Sequence, residues 1–359
     1  TVALVKRSTM KINKYISIWI SLAIISFSGI TIAAETNDSM KGMELYNSKC
    51  KKCHGAEAKG KKFKKKPDEF KYAPLRYISA EKLNEALVKY RKMWQQKTYT
   101  KAEITSDNAP QALSGQNIKS IKKMAKATRS LTDENISFIV SYISSLTASE
   151  YNNWIKSLQL VSGGGSASET LYNFKTTALF RSAEEAKANS KGEGRLMPAT
   201  KVKVLERKGD WLKVAIDGWQ QDRVNRVIYQ LQGKRIFSAV LSRNLTDRIV
   251  INSKMLDEDT DLNWNQVTLV AWTSAKDLIP SADKIWDFAE SMFSSSCTAC
   301  HSPPETDHFL ANQWLGNLKT MKRFINLNKE QYYILLKYLQ LRAKDTHKET
   351  AALQQKNHN

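Results

Sequence analysis

The chain has 359 residues, with 56 lysines and arginines against 35 acidic residues and a formal net charge of +21. That length accommodates two or three domains. A cationic excess of this size reads as a solvated face or as a docking surface for an acidic partner, and an N-terminal export signal sets nucleic acid aside despite the charge.

Met10-Lys11-Ile12-Asn13-Lys14 is a short basic start, Tyr15 to Ile32 is largely apolar, and Thr31-Ile32-Ala33-Ala34 offers a small-residue cleavage site before polar Glu35. Residues 1–34 therefore read as a secretory signal peptide, with Thr1 to Thr9 preceding a better start at Met10. The alternative is an uncleaved anchor, because Tyr15 to Ala34 is about long enough to span a bilayer. The expected location is the periplasm, with membrane attachment only if the leader stays on.

Shortly after the leader stands Cys50-Lys51-Lys52-Cys53-His54, and the pattern returns as Cys297-Thr298-Ala299-Cys300-His301; the two copies use every cysteine in the chain. On a helix, positions i, i+3 and i+4 share a face. Two thiols so placed form thioethers with a porphyrin while the next imidazole reaches its iron, which predicts two covalently bound haem c groups. A redox dithiol or a zinc ribbon also uses C-x-x-C, but each leaves the histidine after both pairs without a role. Between Lys41 and Lys66 there are ten lysines against Glu44 and Glu57, a surface suited to redox partners with acidic docking faces.

The expected fold class is multidomain α and β: an all-α first haem unit over 40–150, a linker over 151–168, a central β-barrel-like domain over 169–281, a short all-α haem unit over 282–345 and a polar tail over 346–359. In the first unit a helix around Lys41–Tyr46 leads into the motif. A second covers Glu81 to Trp94, and a third is capped by Thr132 with Ile136, Ile139, Val140 and Ile143 on its buried face. Gly163-Gly164-Gly165 marks the linker. Lys201–Arg207 and Trp211–Ile216 alternate as strands around Lys208-Gly209-Asp210, with Asp217-Gly218 as a further turn, and Val224–Leu231, Ile236–Leu241 and Val267–Trp272 continue the pattern. No cysteine or histidine occurs from Gly55 to Ser296, so this domain should bind no haem. Helices resume at Ala282 and close with Lys329 to Leu341, after which Lys344 onward should fray.

The second axial ligand decides whether a haem carries electrons or binds a substrate. The first unit has no histidine besides His54, and Met124, just before the closing helix, is the expected ligand; Met93 is the alternative, in a setting that suits a core residue. In the second unit Met321 holds the corresponding place, opposite His301. His308 is its rival, and an open position is the remaining possibility.

Around these motifs, Leu45-Tyr46-x2-Lys49, Gly55, Met124 and Leu131-Thr132-Asp133-Glu134-x7-Tyr142-Ile143 make the first unit resemble the class I cytochromes c of the c553 type. Gly218-Trp219-Gln220-Gln221, Gly233-Lys234-Arg235-Ile236-Phe237, Ala311-Asn312-Gln313-Trp314 and Tyr338-Leu339-Gln340-x3-Lys344-Asp345 make the remainder similar to the C-terminal part of the TorC cytochromes that feed trimethylamine N-oxide reductase. That resemblance implies electron transfer from the second haem to a periplasmic molybdenum reductase of N-oxides or S-oxides. TorC cytochromes begin with a membrane-anchored tetrahaem domain that oxidises quinol, and a single haem unit stands in its place here. The implied donor is then a cytochrome bc1-type complex or another carrier. Beside this electron-transfer reading without substrate chemistry stand a dihaem peroxidase, a sulfur-oxyanion redox enzyme and a haem-based redox sensor.

Overall fold

The computed structural model describes residues 37–97, 118–188, 191–258, 260–299 and 302–346. The expected leader and most of the expected tail, including His347, lie outside the described residues, as do Cys300 and His301. No helix among the described residues is long and apolar enough to cross a membrane.

The first unit is built from helices α1 (37–49), α2 (Lys51–His54), α3 (Ala80–Gln96), α4 (Ile118–Thr128) and α5 (Asp133–Gln159). Thr132 caps α5, its hydroxyl accepting from the Asn135 amide while the Asn135 side chain accepts from the Thr132 amide. That reciprocal pair satisfies two of the amides a helix start leaves orphaned. The anticipated faces are buried: Leu83 and Leu87 on α3 meet Ile136, Ile139, Val140 and Ile143 on α5. Helices α1 and α5 approach so closely at Gly42 that a Cβ there would lie 2.2 Å from the Phe138 carbonyl oxygen.

The unit is not all-helical. Strands β1 (Lys61–Phe63) and β2 (Lys66–Tyr72) form an antiparallel hairpin. Its lysine-rich sequence carries no buried alternation, β1 being exposed throughout, so the usual period-2 signal is missing.

Helix α5 has 27 residues and runs through the first half of the expected linker. Tyr151 and Leu158 are buried in the same core as the C-terminal helices, and Trp154 stacks on Phe288 with centroids 4.3 Å apart and planes 11° apart. Tyr151, Trp154, Ile155 and Leu158 fall at helical spacing, and this stripe overrides the polar residues between them. The glycine segment is also tied down: Gly163 donates to the Ala275 carbonyl and its own carbonyl accepts from Arg207.

The central domain is a curled, mixed-length sheet. Its strands are β3 (Thr170–Asn173), β4 (Thr177–Leu179), β5 (Gly194–Leu196), β6 (Lys201–Lys208), β7 (Trp211–Gln221), β8 (Val227–Tyr229), β9 (Phe237–Leu241), β10 (Ile249–Asp257), β11 (Leu262–Ser274) and β12 (Leu278–Ile279), with a short helix α6 (Ala183–Lys187) after β4. The sheet order is β12-β3-β6-β7-β8-β9-β5-β4, and the β10–β11 hairpin joins through β7. Phe180, just after β4, bridges to Trp272 in β11, so the sheet curls back on itself around Val204, Val214, Ile216, Ala239 and Leu269. Asp217 and Gly218 are not a turn but lie inside β7, paired with Thr268 and Val267. Glycine is needed there because a Cβ would meet the Tyr229 carbonyl oxygen at 2.5 Å, the close backbone approach that puts glycine inside a strand.

Helices α7 (Asp283–Cys297), α8 (Ala311–Met321) and α9 (Lys329–Leu341) complete the chain. Residues 344–346, expected to fray, are held: the Asp345 carboxylate accepts from the Ala311 amide and from Lys234, and Thr346 is fully buried.

Candidate haem site

Helix α2 is a single turn that places Cys50, Cys53 and His54 together, and bonds on either side of it fix the ring. Tyr46 donates to the Gly55 carbonyl at 2.7 Å, and the His54 carbonyl accepts from the Gly60 amide at 2.9 Å. The His54 ring is 6 % exposed. Its Nδ1 lies 2.8 Å from the Ala73 carbonyl oxygen, and since a carbonyl only accepts, Nδ1 carries the proton and Nε2 presents its lone pair. Burial lowers the pKa of this imidazole, partly countered by the bond to Ala73, and so favours the neutral ring a metal requires. A buried histidine whose far nitrogen is tied to a carbonyl is the usual arrangement of a metal ligand.

Nε2 points at Met124 Sδ, 3.5 Å away. Ligands on opposite sides of a metal at about 2.0 Å to nitrogen and about 2.3 Å to sulfur would be about 4.3 Å apart, so the pair would have to part by somewhat under 1 Å to admit an iron. The donor types suit a haem iron, and Cys50 and Cys53, both half-buried, would be the attachment points. Burial, and then the neighbouring Cys53, push the free Cys50 thiol up to about 12, far from the depressed range of a reactive redox thiol. Met93 is instead 6 % exposed in a side cluster with Tyr90 and Ile121, against which Met124 packs.

The second motif is described only in part. Cys297 ends α7 and is half-buried. Met321 ends α8 at 41 % exposure, and His308 is exposed with its ring edge-on to Phe309. Among the described residues the neighbourhood is aromatic: Phe293, Phe309 and Trp314 meet at ring separations of 6.5 and 5.0 Å. No group of three or more histidines, cysteines and acids that could hold a metal ion occurs among the described residues.

Sequence reasoning missed how the two haem-motif units touch. Directly beyond Ala73, Arg76 to Ser79 pair with Phe324 to Asn326 through an antiparallel bridge between Ile78 and Ile325. Ser79 donates to the Phe324 carbonyl at 2.9 Å and Asn326 to the Tyr77 carbonyl at 2.6 Å. Neither segment has a periodicity or composition that signals a partner so distant in sequence.

Comparison with known proteins finds two family models. Residues 39–147 match the family model for cytochrome c, and residues 165–278 match that for the TorC third cytochrome c domain. The TorC segment ends before Cys297 and contains no cysteine or histidine. The cytochrome c-type protein TorC of Escherichia coli O157:H7 is 36 % identical over 189 residues, 52 % of this chain and 47 % of that one. TorC of Escherichia coli K12 is 35 % identical over the same shares, and the cytochrome c-type protein TorY of Haemophilus influenzae 28 % over 174 residues, 48 % and 47 %. The chain spans about half the length of these curated relatives. No solved structure matches it. Cytochrome c, haem and electron transport are the class in which these similarities place the chain.

Proposed function

We propose that the protein is an exported dihaem c-type cytochrome that carries electrons to a periplasmic molybdenum reductase of N-oxides or S-oxides. The observation that carries this reading is the opposition of His54 Nε2 and Met124 Sδ, with the histidine's other nitrogen already committed to Ala73. When bound, haem c supplies a one-electron couple, and its potential is raised by methionine relative to a second imidazole. Cys50 and Cys53 would hold the first group and Cys297 and Cys300 the second, with His54 and Met124 on one iron and His301 and Met321, or His308 in its place, on the other. Met124 would be the second protein ligand of that iron, which would leave the first unit to exchange electrons without binding substrate.

Lys51, Lys52, Lys59, Lys61, Lys62, Lys64 and Lys65, all exposed, surround the first motif. They form a cationic face for an acidic redox partner, whose encounter rate falls as salt screens the attraction. The similarity to TorC supports the choice of terminal acceptor. Intact-mass measurement of protein matured in a cytochrome c-producing host tests the haem count: two haems are expected, and one after Cys297→Ser with Cys300→Ser. A mass with one haem or none in the unmodified protein overturns the dihaem reading.

A further inference from the structure

The interface between the two haem-motif units has the build of a clamp centred on Asn326. Its Nδ2 reaches three acceptors of the first unit: the Ser144 carbonyl at 2.9 Å, the Thr147 hydroxyl at 3.1 Å and the Arg76 carbonyl at 3.3 Å. Thr147 is 2 % exposed and donates in turn to the Arg76 carbonyl at 2.6 Å. The backbone amide of Asn326 donates to Tyr77. One residue of the C-terminal unit therefore engages both the 76–79 segment and helix α5.

Each side of this clamp leads to an iron-ligating candidate. On the first side the chain runs from Tyr77 back to Ala73, whose carbonyl accepts from the His54 ring at 2.8 Å. On the second, Asn326 and Phe324 lead back to Met321, whose carbonyl accepts from the Phe324 amide at 2.9 Å. The residues of that contact all belong to the two haem-motif units and none to the β domain.

Resting on the dihaem reading, we infer that Asn326 is a positioning residue that fixes the second haem unit against the backbone holding His54, so that an electron passes directly between the two haems within one chain. One reduced haem iron is oxidised and the other, oxidised, iron is reduced by the same electron. No bond is made or broken and no further reactant is needed.

The test uses the full-length holoprotein and its Asn326→Ala variant. Haem content, and the midpoint potential of each haem, are measured first. Hydrogen exchange then reads the opening of the contact at the Ser79 and Asn326 amides, and pulsed one-electron reduction reads the rate at which the haems equilibrate. Loss of the amide should speed exchange at both positions by about tenfold, the factor that corresponds to about 1.4 kcal/mol. It should also slow the equilibration between haems while leaving each potential in place. Thr147→Val, which leaves Asn326 two of its three acceptors and also removes the Thr147 bond to the Arg76 carbonyl, should shift both readings the same way, and serves where Asn326→Ala does not fold. Unchanged exchange in these variants overturns the clamp, and faster exchange with an unchanged equilibration rate overturns its role in electron transfer. A single haem in the starting protein overturns the dihaem reading and this inference together.

Discussion

His54 and Met124, seventy residues apart, face each other across 3.5 Å between Nε2 and Sδ. A helical turn delivers the first and an amphipathic helix the second, and each is held by its own core contacts. Their opposition is thus a property of the folded chain.

Replacing Met124 by Ala should lower the reduction potential of the first haem by on the order of 100 mV or more, a fraction of the ~0.8 V that axial ligation spans. It should also open that iron to added imidazole. A redox titration of the variant, with and without imidazole, measures both. Met93→Leu, a substitution in the side cluster, should leave the potential unchanged.

Gly42 sets how closely α1 and α5 cross. A methyl group there meets the Phe138 carbonyl carbon and the Tyr142 Cβ, each at 2.8 Å, besides the oxygen. Backbone cannot yield as a flexible side chain does, so Gly42→Ala should destabilise the first unit by about 3 kcal/mol, the upper end of the overpacking range. Denaturant unfolding followed at the haem bands checks this.

Arg76 is 3 % exposed and donates to Glu150 at 3.0 Å and to the Leu146 carbonyl at 3.0 Å, while Tyr77 donates a short hydrogen bond to the same carboxylate. Burial first, and then that carboxylate's charge, raise the Tyr77 pKa and keep its hydroxyl a donor. Glu150→Ala leaves the buried guanidinium with only the Leu146 carbonyl and the Glu57 carboxylate, 3.8 Å away, and should cost up to about 3 kcal/mol. Glu150→Gln, which keeps an acceptor, should cost less. Thermal unfolding of the two variants gives the comparison.

Lys337 on α9 is buried and donates to the Pro198 carbonyl and the Thr200 hydroxyl of the central domain, each at 2.9 Å. Burial pulls its pKa down from 10.5 to about 7. Between those values the unfolded chain holds a proton that the folded chain has released, so stability rises with pH across this window, by up to about 1.4 kcal/mol per unit, and is flat with respect to this group below it. Lys337→Met should abolish that slope, seen as denaturation midpoints from pH 7 to 9.

The parts of the fold that were readable from the chain, and the Cys50–His54 turn of the first site, rest on local chemistry, whereas the approach of Met124 to His54 comes from tertiary packing. Two Cys-x-x-Cys-His repeats, the Thr132 cap and the stripe from Ile136 to Ile143 each act within a few residues. The end of α5 was readable too, but polar residues between Tyr151 and Leu158 masked the stripe. Asp217-Gly218 misled because a glycine that yields space to Tyr229 has the same sequence as one that turns the chain. The Asn326 contact left no trace at all, since its partners lie 179 to 250 positions away. Tertiary pairing of that kind has no period.

The measurement that tests the electron-donor account most directly is the reoxidation of the chemically reduced protein, followed at its haem bands, with a trimethylamine N-oxide reductase-type molybdenum enzyme and N-oxide. The account predicts rapid reoxidation that requires both enzyme and substrate and slows with added salt. Reduced haem that persists with both present would contradict it, and reoxidation by the N-oxide alone would make the protein itself the reductase.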